Sequence, residues 1–150
     1  MNDEHWKYVE RKLSVPYGSV KLVADGYDLS LVVSKVSSKR MTFGIVVYID
    51  GKIKPDDFKE TERSKKFYRR IARPLYSKKY IDALYPTAAL RRTKEYKKDK
   101  AAVHVYYAAD WVTFKRMKSH FIKNNTSIEL SGEEDARYQR WIREFAEHSE

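Results

Sequence analysis

The stretch SVKLVADGYDLSLVVSKVSSKRMTFGIVVYIDG, residues 19–51, decides the fold class. Val20, Leu22 and Ala24 alternate with Ser19, Lys21 and Val23. Asp25-Gly26 follows, a dipeptide suited to a tight hairpin turn because glycine takes positive φ at no steric cost. Tyr27, Leu29, Leu31 and Val33 then fall on one side of a second run. Ser37-Ser38-Lys39-Arg40 reads as a loop. Met41, Phe43, Ile45, Val47 and Ile49 alternate through a third run, closed by Asp50-Gly51. A period of two residues marks a strand with one buried face. The reading is an antiparallel meander of three or four strands whose apolar face needs a cover.

Toward the N-terminus, WKYVERKL (6–13) reads as one more strand, followed by a turn at Tyr17-Gly18-Ser19. Downstream, Pro55-Asp56-Asp57 suits a helix start, with acids at the positive end of the dipole. On a helical wheel Arg63, Lys65, Lys66, Arg69, Arg70 and Arg73 share one side, and Phe67, Tyr68, Ile71 and Ala72 the other. That is the pattern of a surface helix ending before Pro74, with Phe58 as its one misfit. Ser77 to Leu84 predicts a second helix. Thr87 to Lys98 predicts either a third, anchored by Leu90, or an exposed basic segment. AAVHVYYAA (101–109) reads as a strand. Asp110 suits the cap of a helix bearing Trp111, Phe114, Phe121 and either Met117 or Lys118, stopped at Asn124-Asn125. Thr126 to Leu130 is a short strand. Ser131-Gly-Glu-Glu134 has the spacing of a capping box before the helix that carries Trp141 and Phe145.

No repeat or linker divides the chain, so all 150 residues are expected to form one α+β domain. Residues 1–54 are mainly strands, 55–100 a basic helical region, and 101–150 a mixture. The expected architecture is an antiparallel sheet of three to five strands with helices packed on one face. A chain of this length buries roughly 68–70% of its unfolded surface, enough for a core.

Cysteine is absent, which removes disulfides, thiolate metal sites and cysteine nucleophiles. The longest clearly apolar run, Ile45 to Ile49, is far short of the about 20 residues that span a bilayer. These features predict a cytoplasmic protein with no membrane partner. No glycine-rich phosphate loop, nucleophile elbow or nuclease signature is present. His5, His104, His120 and His148 have no partner at ligand spacing, and Asp56 and Asp57 read as a helix start rather than a catalytic pair. The expectation is a non-enzyme with no cofactor and no metal. The alternative within enzymology is a nuclease using His104 or His120.

Charge is the one functional signal. The formal net charge is +10, yet residues 1–62 balance ten bases with ten acids, and 63–100 hold fourteen bases and three acids. Such asymmetry points to an anionic partner. The bases interleave with aromatic rings, a mixture suited to phosphates and unpaired bases. The candidate contacts are Arg63, Lys65, Lys66, Arg69, Arg70 and Arg73, extended by Lys78, Lys79, Arg91 and Arg92, with Tyr76 and Tyr80 for stacking. The partner is nucleic acid, DNA or RNA, or else a nucleoprotein or an acidic protein.

The segments YGSVKLVADGY (17–27) and DWVTFKRMKSHFIKNNTSIEL (110–130) resemble small accessory proteins of bacteriophages and prophages. The resemblance carries no site residue with it. It implies a bacterial host cytosol and action by binding: to nucleic acid, to a host enzyme, or to a defence complex as an inhibitor of the anti-CRISPR type.

Overall fold

The computed structural model describes residues 1–37 and 39–148, without the side chains of Glu147 and His148. Ser38, in the expected loop, and the side chain of His148 therefore lie outside the description.

The meander forms as the period-two pattern requires. Strands β1 (Ser19–Ala24), β2 (Tyr27–Lys35) and β3 (Phe43–Ile49) pair antiparallel in sequence order. Val20 faces Leu31, which faces Val47; Leu22 faces Leu29, which faces Ile49. Those six side chains are almost fully buried on one face. Each is worth about 1.5–3 kcal/mol relative to exposure. Asp25-Gly26 and Asp50-Gly51 both place two successive residues at positive φ, the geometry of hairpin turns that match strand twist. Met41, expected in β3, lies before it and is 78% exposed.

The outer strands come from the C-terminal third. β6 (Asp110–Trp111) pairs with β3, and β7 (Ile128–Leu130) pairs with β1, giving the order β6-β3-β2-β1-β7. The cover is supplied by α1 (Asp3–Lys12), α2 (Glu62–Phe67), α5 (Phe114–Asn124) and α6 (Gly132–His148). Trp6, Val9, Phe67, Met117, Phe121 and Tyr138 from these helices join the inward sheet residues in one core. The fold is α+β.

Two whole elements differ from expectation, for physical reasons. WKYVERKL is helical. Trp6, Val9 and Leu13 are all buried at helical spacing, and Asn2 caps the turn, its Oδ1 accepting from His5 N at 2.9 Å. Acids Asp3 and Glu4 start this helix and bases Arg11 and Lys12 end it, as the dipole favours. The second failure is the long basic helix over 63–73. Pro55–Phe58 is a 3-10 turn, and α2 begins only at Glu62, capped by Thr61; Phe58 precedes it, which explains its misfit on the wheel. The helix ends at Phe67. Tyr68 is extended, and Arg69–Pro74 is a strand, β4, pairing antiparallel with β5 (Val103–Ala108). A wheel examines one segment alone, and the partner strand lies some thirty residues away.

Between β4 and β5 the chain makes an excursion through α3 (Lys78–Leu84), a 3-10 turn at Leu90–Arg92 and α4 (Lys94–Ala101). The β4–β5 ribbon with this excursion forms an arm. Within 75–102 only Ile81 is buried, and it does not join the main core. The predicted helix over 87–98 is thus split into the 3-10 turn and α4.

Further along, Thr113 rather than Asp110 caps α5, its Oγ1 accepting from Arg116 N at 3.3 Å. Of the two alternatives, Met117 is the buried one. Ser131 caps α6 as expected, but the Glu134 carboxylate does not return to the cap. It is buried and accepts from the Tyr8 hydroxyl at 2.7 Å and from Lys21 N at 3.3 Å.

Candidate nucleic-acid interface

The arm's charge follows from its sequence and exposure. Residues 69–108 hold eleven bases and three acids, a surplus of eight. Two of the three acids have partners within the arm. Asp99 accepts from the Tyr85 hydroxyl at 2.6 Å, which helps raise that phenol to about 12, and Asp82 lies 3.8 Å from Arg91. Tyr85 also meets Tyr96 edge-on at 5.2 Å, and Arg91 Nε donates to Tyr85 O at 2.9 Å. These contacts, with Ile81, hold the excursion together while leaving its outer bases unpaired.

The ribbon alternates. Arg69, Ile71 and Arg73 share one face with His104, Tyr106 and Ala108, because Arg73 pairs with His104 and Ile71 with Tyr106. The opposite face carries Arg70, Ala72, Val103, Val105 and Tyr107; Tyr107 is buried and Val105 packs partly against the core, whereas Arg70, Ala72 and Val103 are exposed. On the first face Arg73 Nε donates to the Tyr106 hydroxyl at 3.1 Å, and the His104 and Tyr106 rings stack at 5.9 Å. Tyr106 escaped the sequence reading, and His104 entered it only as a nuclease candidate, since their neighbourhood depends on strand pairing. The only sequence signal was their placement opposite Val103 and Val105.

The candidate bases divide into two sets. Arg63, Lys66 and Arg69 are engaged by the fold. Arg63 lies 3.5 Å from buried Asp57 and donates to Ile49 O. Lys66 Nζ donates to Asp25 at 2.6 Å, and Arg69 donates to both the carbonyl and the carboxylate of Asp110. The sequence grouped Lys66 and Arg69 with the free bases because their acids are remote in the chain, and Arg63 because Asp57 read as part of the same helix start. Lys65 is exposed and lies 3.5 Å from Glu60, a solvent-screened pair. Arg70, Arg73, Lys78, Lys79 and Arg92 are exposed with no ion pair among the described residues, and so are Lys94, Lys97 and Lys98 on α4. Tyr76 and Tyr80 stack on each other at 5.3 Å with ring planes 23° apart, and Tyr80 is 48% exposed.

The other candidate chemistry is tied up structurally. His120 lies between Lys65 O, 2.9 Å from Nε2, and Asn124 Nδ2, 3.2 Å from Nδ1, with the Trp111 ring at 5.0 Å. Burial holds its imidazole below the usual range, so the neutral ring donates from Nε2 and accepts at Nδ1. Asp57 accepts from Lys54 N at 2.8 Å, the work of a turn. Among the described residues no group of three His, Asp or Glu side chains is placed to hold a metal ion, and no helix is long and apolar enough to cross a membrane. No protein-family model, curated protein or solved structure matches the chain.

Proposed function

We propose that this chain is a non-enzymatic binding protein that engages nucleic acid, or a nucleoprotein, through its basic arm. The observation that carries the reading is the concentration of eight of the ten surplus charges in residues 69–108, on an element that contributes little to the core. Arg70, Arg73, Lys78, Lys79 and Arg92 contact phosphates and release counterions, and Lys94, Lys97 and Lys98 extend the track. Tyr80, on its stack with Tyr76, and Tyr106, oriented by Arg73, offer ring faces to unpaired bases. The setting is a bacterial host cytosol, with the accessory role that the resemblance to phage proteins implies.

A second reading is favoured by one observation. Leu75, Leu84, Leu90 and Val103 are each more than 40% exposed on the same arm. Apolar groups among bases also suit an acidic protein surface, as in an inhibitor of a host defence complex. Fluorescence anisotropy with short single-stranded and duplex DNA and RNA, titrated through salt, tests the first reading. Binding that persists at physiological salt, with a log–log slope near four to six, sustains it at about 0.7–0.9 per phosphate. Binding lost by physiological salt, with a protein retained from bacterial lysate after nuclease treatment, replaces it with the second.

A further inference from the structure

Away from the arm, the C-terminal end of α1 and the middle of α6 border an open hollow of about 510 Å³, within the range of small-ligand sites. Tyr8, Arg11, Lys12, Val15, Arg137 and Trp141 line it, with the backbone at Gly18 and Ser19 completing the wall. An adjoining hollow of about 330 Å³ shares four of these residues and adds Arg140 and Glu144.

Three cations thus face one space, and each is positioned. The Arg11 guanidinium lies over the Trp141 ring at 5.7 Å, and the Lys12 ammonium over the Tyr8 ring at 5.8 Å. Neither has an acidic partner among the described residues. Arg137 lies 3.3 Å from Glu134, which leaves most of its five N–H donors free. Glu134 is buried, and one carboxylate ties Arg137, the Tyr8 hydroxyl and the Lys21 amide together behind the wall. Gly18 belongs to the same construction, because a Cβ there would stand 2.1 Å from Lys12 O. The backbone approach that shapes the hollow requires a residue without a side chain.

We propose that this hollow binds an organic phosphate of nucleotide size. The phosphate sits among Arg11, Lys12 and Arg137, and the organic body lies against Val15 and the Trp141 edge. The reasons are the number of convergent cations, the buried Glu134 that holds Arg137 and the Tyr8 ring beneath Lys12, and a volume too large for a bare anion. The site does not depend on the arm or on the function proposed for it. The same chemistry is offered by a free nucleotide and by the 5′-phosphorylated end of a strand.

Isothermal titration calorimetry of the full chain at physiological salt separates the cases. The probes are adenosine monophosphate, inorganic phosphate, and a trinucleotide with either a 5′-phosphate or a 5′-hydroxyl. Saturable binding of the monophosphate is expected, weakened about tenfold or more in Arg11→Glu and in Lys12→Glu. The Arg70→Glu/Arg73→Glu variant should bind it as the parent does. Binding of the 5′-phosphorylated trinucleotide but not the mononucleotide assigns the site to strand ends. The proposal is overturned if inorganic phosphate binds as tightly as the organic probes. It is equally overturned if the 5′-hydroxyl strand matches the phosphorylated one, if no probe binds, or if both hollow variants, folded by circular dichroism, bind unchanged.

Discussion

The Lys66 ammonium lies 2.6 Å from Oδ2 of Asp25, and this pair joins three parts of the chain. Asp25 sits at φ 47° in the β1–β2 turn, and its carboxylate also accepts from the backbone amides of Thr126 and Ser127. It therefore ties the meander to α2 and to the segment between α5 and β7.

The hydrogen bond from Lys66, aided by those two amides, lowers the Asp25 carboxyl to about 2. An unfolded Asp titrates near 3.9. A depressed carboxyl stabilises the fold fully above the unfolded value, and that contribution is lost as pH falls through about 2. Asp25→Asn should lower the urea midpoint at pH 7, since asparagine tolerates the turn but cannot pair with Lys66. The gap between variant and parent should close as pH is lowered from about 4 toward 2. A gap constant over that range would show that the ion pair contributes nothing.

His120 acts at a higher pH with the same sign. Its imidazole is held down chiefly by burial, so the unfolded chain binds a proton more readily. Stability present above about 6.5 should decline as pH falls below it, until the folded ring also protonates. His120→Gln should flatten the dependence of the urea midpoint between pH 7 and 5. An unaltered slope would refute the assignment of a half-buried neutral ring.

Buried Glu134 makes a different demand. It has left water and is compensated by Tyr8, Lys21 N and Arg137. Hydrogen bonds to a charged group contribute about 1.5–3 kcal/mol each. Tyr8→Phe should cost that much in chemical denaturation, more than deleting an exposed hydroxyl would. A loss under about 0.5 kcal/mol would mean that water replaces the phenol.

The strands of residues 19–51 were legible because burial on one face imposes a period that survives in a single segment. Asp25-Gly26 marked where β1 turns into β2, and Asp50-Gly51 marked where β3 ends. The error at 63–73 had the opposite origin. Arg69, Arg70, Ile71 and Ala72 satisfy a helical wheel and a strand ladder alike, and the deciding partner is Ala102 to Ala108. The candidate interface was legible as a quantity of charge and not as a set of residues. Lys66 and Asp25 are forty-one positions apart, and Arg69 and Asp110 are equally distant, so no local pattern marks those bases as occupied.

That division is testable by charge reversal. Arg70→Glu/Arg73→Glu should leave the thermal midpoint nearly unchanged, weaken nucleic-acid binding tenfold or more, and reduce the salt slope by about 1.5. Lys66→Glu should do the reverse, placing like charges beside Asp25 and lowering stability with little direct effect on the ligand. Anisotropy and thermal melts on the two variants give four readings. Loss of binding in Lys66→Glu alone, with its fold intact, would move the contact surface off the arm.

The arm is built so that its excursion can be excised. Leu75 N donates to Ala102 O at 2.9 Å, extending the β4–β5 ladder one step past Pro74 and Val103. The chain therefore leaves the ribbon and returns at adjacent positions. Replacing residues 76–101 by Asn-Gly should close a two-residue hairpin there, since that dipeptide suits the required turn. The excised piece holds eight bases and three acids, so net charge falls by five. It removes Ile81, which packs outside the main core, and leaves Tyr107, Phe67 and Trp111 in place. The shortened chain should fold cooperatively, with its melting midpoint within a few degrees of the parent and its nucleic-acid affinity reduced at least tenfold. Failure to fold would show that the excursion supports the ribbon. A folded chain with undiminished affinity would remove the arm from the binding surface.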